Sequence, residues 1–184
     1  MPLLVEPPFR NVSARTFFVL QSRDEWCYSM RRDAAVLSGT LKAFVASLPQ
    51  DQVTVLPLPQ IGGKALGMCI DYMERKVDTF NAGNLSGLSA SMWPHVADWE
   101  KQFLLTEALA ADVASGSNGQ LKLLLYSAEA LEIQTLIRLL ELYIEHVVAS
   151  APSSEAAIQK FGLGESVRFS AEEEALLATL EYKP

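Results

Sequence analysis

Two cysteines and two histidines are all that this chain offers in the way of soft or imidazole ligands, and Cys27, Cys69, His95 and His146 stand far apart. No two have the spacing of a local zinc knuckle, so a metal site is not expected. Two cysteines within apolar runs also exclude a disulfide framework and suit buried thiols in a reducing compartment. No serine lies in a Gly-x-Ser-x-Gly elbow and no cysteine has a neighbouring histidine, so neither common nucleophile arrangement is present. Ile61-Gly62-Gly63-Lys64 falls short of a phosphate-binding loop, because Leu58 occupies the first glycine position and Ala65 the place of the serine or threonine. Nothing here points to an enzyme or to a cofactor.

Positive charge is also in short supply. Lys and Arg number 15 against 22 Asp and Glu, a formal net charge of -7. A phosphate backbone or an anionic bilayer is repelled by such a chain, so nucleic acid and membrane are excluded as expected partners. No apolar run is long and uncharged enough to span a bilayer, and MPLLVEPPFR lacks the basic start and apolar core of a secretory signal. The expected location is cytoplasmic, nuclear or both, which makes the glycosylation sequons at Asn11 and Asn84 chance matches.

What the chain does have is apolar residues, 49% of the total, in helical spacing. The strongest pattern runs from Gln120 to Ser150. Ile133, Leu136, Ile137, Leu140, Ile144 and Val147 line one face of a helix opposite Gln134, Arg138, Glu141 and Glu145. Leu121, Leu124, Leu125, Ala128 and Leu131 line a shorter helix before it, and the register breaks at Leu131 to Ile133. Leu139, Leu142 and Val148 widen the second face, as expected of an element that meets neighbours on more than one side.

Upstream, Thr16–Gln21 and Trp26–Met30 read as the two strands of a hairpin. Asp33 is placed to cap a short helix and Ser38 a second, with Leu41, Phe44, Val45 and Leu48 apolar and Pro49 as its stop. A strand over Val53–Leu56, halted by Pro57, and a helix over Ile61–Lys76 with Ile61, Leu66, Ile70 and Met73 inward complete an α+β unit. Residues 1–15 read as a flexible leader and 77–94 as a long loop rich in Asn, Gly and Ser. Ser115 to Gly119 break the chain again. After Ser150 come apolar positions Ala157, Ile158 and Phe161, then a capping box starting at Ser170 ahead of Leu176, Leu177 and Leu180. Such short apolar helices either dock a partner or fold back on their own core.

The ordered strings SGTLKAF (38–44), VLPLPQI (55–61), WEKQFL (99–104), SAEALEI (127–133), IQKFGL (158–163) and FSAEEEALL (169–177) together resemble the Skp and elongin C family of BTB/POZ adaptors, in its Skp branch. The resemblance implies a BTB/POZ domain over 16–148 and a helical extension over 149–184. It implies a non-catalytic bridge between a cullin and an F-box protein in a ubiquitin ligase. Carried over by position, the F-box surface comprises Ile137, Leu140, Ile158, Phe161, Leu163, Phe169, Leu176, Leu177 and Leu180. The cullin contact falls at Glu129 and Ala130, where the family usually has Asn and Tyr; loss of an aromatic anchor at an interface costs on the order of 2 kcal/mol. A second reading is therefore a structural subunit of an F-box assembly that engages no cullin. The resemblance also implies that the unpartnered chain can form a homodimer.

Overall fold

The computed structural model describes residues 16–48, 53–81, 92–115, 118–153, 156–157 and 161. The leader, the segment 82–91, the position of Ile158 and everything from 162 onward, the capping box at Ser170 included, lie outside the described residues.

Strands β1 (Phe17–Ser22) and β2 (Cys27–Arg31) form the expected antiparallel hairpin, with Val19 opposite Ser29. Its turn is closed from within. The Ser22 hydroxyl donates to Asp24 at 2.8 Å and accepts the Trp26 amide at 3.1 Å, while Glu25 takes the left-handed conformation with φ 64°. Strand β3 (Val55–Leu58) joins the other side of β1 in parallel, giving the order β2-β1-β3. The expectation that Pro57 halts this strand is corrected: the strand runs through Pro57, opposite Gln21. A sheet-edge strand has one side that needs no amide donor, and there proline is tolerated.

A 3-10 turn (Ala34–Leu37) leads into α1 (Gly39–Ser47). Ser38 caps α1 as anticipated, accepting the Leu41 amide at 3.0 Å. Asp33 caps nothing. Its carboxylate takes the Arg31 guanidinium at 2.6 and 3.0 Å, and that ion pair lowers its pKa. A doubly bonded guanidinium outcompetes a single backbone amide for the carboxylate. Arg31 also reaches Asp78 at 2.5 Å, tying the sheet to the next helix.

That helix, α2 (Gly63–Asn81), is longer than its pattern suggested and takes in residues assigned to the loop. Ile61 lies just before it, and Ile61, Leu66, Ile70 and Met73 are all completely buried. Asp24 of the hairpin turn accepts the Gly63 amide at 2.6 Å, so the sheet supplies the cap of α2. Cys69 on this helix is free and buried, and burial pushes its thiol up to about 12; Cys27 is free and buried as well.

A 3-10 turn (Trp93–His95) precedes α3 (Asp98–Gln102), a π-helical turn (Phe103–Ala108) and α4 (Ala110–Ser115). Then come α5 (Gly119–Ala130) and α6 (Gln134–Ala149), with the break where the register failed. Asp112 caps α5 by accepting the Gln120 and Leu121 amides at 3.1 and 2.8 Å. One hydrophobic core runs from Phe18 to Leu142, with Phe161 packed against it. Within that core Lys76 Nζ meets Glu100 Oε1 at 2.7 Å, each side chain only 3% exposed, and the Tyr72 hydroxyl donates to the same oxygen at 3.1 Å.

Candidate protein-binding faces

The turn between α5 and α6 is built from a helix ending that normally asks for glycine. The Ile133 amide donates to Ala128 O at 2.9 Å and the Glu132 amide to Glu129 O at 2.9 Å, the two hydrogen bonds of a Schellman motif. The residue at its left-handed position is Glu132, with φ 53°. Among the described residues no side chain caps α6, whose first turn follows Ile133 directly.

This turn rests on the start of α1. The Ser38 hydroxyl, besides capping α1, donates to Leu131 O. Thr40 Oγ1 donates to Ala130 O at 3.3 Å, and the Gly39 amide to Glu132 O at 3.3 Å. A methyl group at Gly39 would meet the Glu132 side chain, whose carboxylate would have to swing aside to admit it. Ser38, the cap of α1, and the first two residues of the helix thus satisfy the consecutive carbonyls of Ala130, Leu131 and Glu132 where α5 ends. The two positions carried over for a cullin lie at this corner: Glu129 is exposed and Ala130 half-buried.

Of the positions carried over for an F-box, Ile137 is half-buried on α6, whereas Leu140 is wholly buried and belongs to the core. Leu140 is one of a widened set of apolar positions on α6, and spacing alone does not say which of them face solvent. Phe161 is half-buried, and its amide donates to Ala157 O at 3.3 Å. With Ile137, Tyr143 and Ile144 it packs against the margin of the core. Chain beyond α6 therefore returns to the fold. Ile158, Leu163, Phe169, Leu176, Leu177 and Leu180 lie outside the described residues.

Two surface residues escaped attention in the sequence. Leu123 is 60% exposed and Tyr126 is 54% exposed, three residues apart on the outside of α5. The signal was present: both fall off the inward stripe formed by Leu121, Leu124, Ala128 and Leu131, yet both are apolar or aromatic. Tyr143 and His146 on α6 receive Trp93, whose ring lies 5.6 and 5.3 Å from theirs, stacked within 12° on the imidazole. His146 thus helps to hold down the segment ahead of α3.

Among the described residues no cluster of His, Cys, Asp and Glu could hold a metal ion, and no helix is long and apolar enough to cross a membrane. Residues 16–78, from β1 to near the end of α2, match the model of the Skp1 family, tetramerisation domain. No curated protein matches the chain.

Proposed function

We propose, for a chain that belongs through its residues 16–78 to the Skp1/elongin C-like BTB/POZ family of non-catalytic interaction adaptors, that it bridges an F-box protein and a cullin in a ubiquitin ligase, as a member of the Skp branch. The observation that carries this reading is the family match joined to the return of Ala157 and Phe161 onto the fold beyond α6. Ile137 and Ile144 are half-buried, an apolar margin of the kind that a partner helix covers. Leu140 supports that margin from beneath. Ile158, Leu163, Phe169, Leu176, Leu177 and Leu180 complete the F-box surface in this reading, and the adaptor works in the cytoplasm, the nucleus or both.

Capture of a co-expressed F-box protein by the full chain tests the first half. Ile137→Arg places a charge on the proposed contact without touching the buried Leu140, and capture is expected to fall at least tenfold. Unchanged capture by a folded Ile137→Arg protein sinks the F-box assignment.

The cullin half has a rival. Glu129 is exposed and Ala130 offers only a methyl group where the family usually places Asn and Tyr, an exchange that favours a structural subunit of an F-box assembly without a cullin. Titration with the cullin N-terminal region of the same organism separates the two. A dissociation constant of about 1 µM or tighter supports the bridge, corresponding to roughly 8 kcal/mol of binding free energy. Absence of binding at ten times that concentration leaves the structural subunit.

A further inference from the structure

Along one margin of its buried face, α6 carries a stripe that is apolar except at one place. On a helix turning about 100° per residue, Ile137, Ile144 and Val148 fall within about 40° of one another. Ile137 and Ile144 are half-buried and Val148 is 50% exposed. Glu141, fully on the surface, stands beside them in the middle of the run. Positions 137, 141, 144 and 148 follow one another at steps of four, three and four, the spacing of a seam that receives a partner helix over about 16 Å. Three of the four are apolar, and the fourth is a carboxylate. The charge around the stripe is acidic as well. Arg138 is shared between Glu141 at 3.0 Å and Glu145 at 3.2 Å, so one cation answers two carboxylates. All three side chains are open to solvent, where such pairs are weak and a further cation is readily accepted. Residues 162–184, which supply most of the proposed F-box surface, add Glu165, Glu172, Glu173, Glu174 and Glu181 against only Arg168 and Lys183. That composition disfavours the chain's own tail beside Glu141 and favours a basic partner.

We propose that Glu141 selects the partner: the F-box helix that lies on Ile137, Ile144 and Val148 carries a lysine or arginine facing Glu141, between apolar residues. The inference rests on the F-box reading of this margin. It adds two residues that lie outside the positions carried over from the family, Glu141 and Val148. A charge set in an apolar seam discriminates chiefly by what it rejects. A partner helix with an apolar or acidic residue at that register leaves the carboxylate desolvated without a cation, and such a helix is a poor ligand. The partners of this chain are thus the F-box proteins whose contact helix is basic at that one position.

Capture of an F-box protein of the same organism, co-expressed with the full chain, reads the effect. Glu141→Lys and Val148→Asp are each expected to weaken capture on the order of tenfold, and Glu141→Gln about threefold. Both positions are exposed, and circular dichroism verifies that each variant is folded. The lysines and arginines of the F-box helix are then changed to glutamate one at a time. One of these exchanges should restore capture by Glu141→Lys to within about threefold of the parent. Capture that is lost in Ile137→Arg but indifferent to Glu141→Lys or to Val148→Asp overturns the proposal and leaves the F-box reading standing. So does a loss in Glu141→Lys that no exchange on the partner restores. Absence of capture by the parent defeats both. If the chain's own residues 162–184 occupy the stripe, Glu141→Lys raises the melting temperature without weakening capture, and that outcome also overturns the proposal.

Discussion

Two of the junctions between the helical second half of this protein and its sheet-bearing first half work by opposite means. Between α2 and α3 the junction is ionic and dry: Lys76 and Glu100 pair at 2.7 Å inside the core, with the Tyr72 hydroxyl and the Trp99 ring alongside. Between α1 and the α5–α6 corner it is neutral, made of hydroxyls and amides on carbonyls. A buried ion pair is stable only while both members are present, and it consumes its charges internally. A neutral junction leaves the charges of its neighbourhood free. Glu129, beside the corner, therefore faces solvent where a partner can meet it. The contrast separates a part of the molecule that must not change from one that can be used.

Breaking the dry junction gives the largest effect. Lys76→Met leaves the Glu100 carboxylate buried with the Tyr72 hydroxyl as its remaining side-chain partner among the described residues, and a stranded buried charge typically costs about 3–5 kcal/mol. Urea denaturation should show this loss of unfolding free energy. Pairing Lys76→Met with Glu100→Leu removes both charges and should recover most of it. A single variant that loses under 1 kcal/mol would mean that water reaches the pair.

Tyr72→Phe acts on the same junction more gently. It removes a hydrogen bond to a charged acceptor, worth about 1.5–3 kcal/mol. Burial, followed by the charge of Glu100, raises the Tyr72 pKa well above the ordinary value of 10.0. A raised folded-state pKa means that the stabilisation is complete below pH 10 and is lost as pH rises beyond it. The parent should therefore lose stability in alkali more steeply than Tyr72→Phe, and parallel pH profiles would contradict the burial of this hydroxyl.

At the neutral junction the expected effect is smaller. Ser38→Ala removes the cap of α1 and the donor to Leu131 O together, at a cost of about 1–2 kcal/mol. The loss should also appear locally, as faster amide hydrogen exchange at Leu41 and Ile133 than in the rest of the core. A uniform change across all helices would show instead that the corner is no separate unit.

How much of this could be read from the chain depends on how far apart the cooperating residues stand. The hairpin, the cap at Ser38 and the break at Leu131–Ile133 rest on residues within a few positions of one another, and all three were legible. The ion pair of Lys76 and Glu100 joins residues 24 apart, and an isolated lysine late in a helix looks like any solvated lysine. Asp33 is the exception to that distance rule: its competitor Arg31 stands only two residues before it, but in a different element, and spacing does not say that a strand residue takes the carboxylate from the helix that follows. Leu140 came to the F-box surface by position in the resemblance, and because α6 is apolar on two sides only the packing of the other helices shows that this side chain is closed off. The outer face of α5 was hidden for the opposite reason. Leu123 and Tyr126 were apolar residues left over once the inward stripe was drawn, and a leftover becomes a surface only when the helix is seen to be uncovered.

The smallest expected effect concerns Glu132 and asks whether the neutral junction is strained. At a left-handed position a side chain costs roughly 1–2 kcal/mol, part of which glycine gives back through its greater freedom in the unfolded chain. The Glu132 carboxylate lies beside the first residue of α1, where a helix N-terminus favours negative charge by about 0.3–1 kcal/mol. Glu132→Gly gains the first and loses the second, so its net change should be under about 1 kcal/mol. Glu132→Ala loses the carboxylate and keeps the left-handed backbone, which makes it the informative comparison. Here the glycine variant should be more stable than the alanine variant by about 1 kcal/mol, the reverse of their order inside a helix. Alanine equal to glycine would mean that the corner relaxes out of the left-handed conformation. The three carbonyls resting on Ser38, Gly39 and Thr40 would then be held less firmly than the geometry of the turn requires.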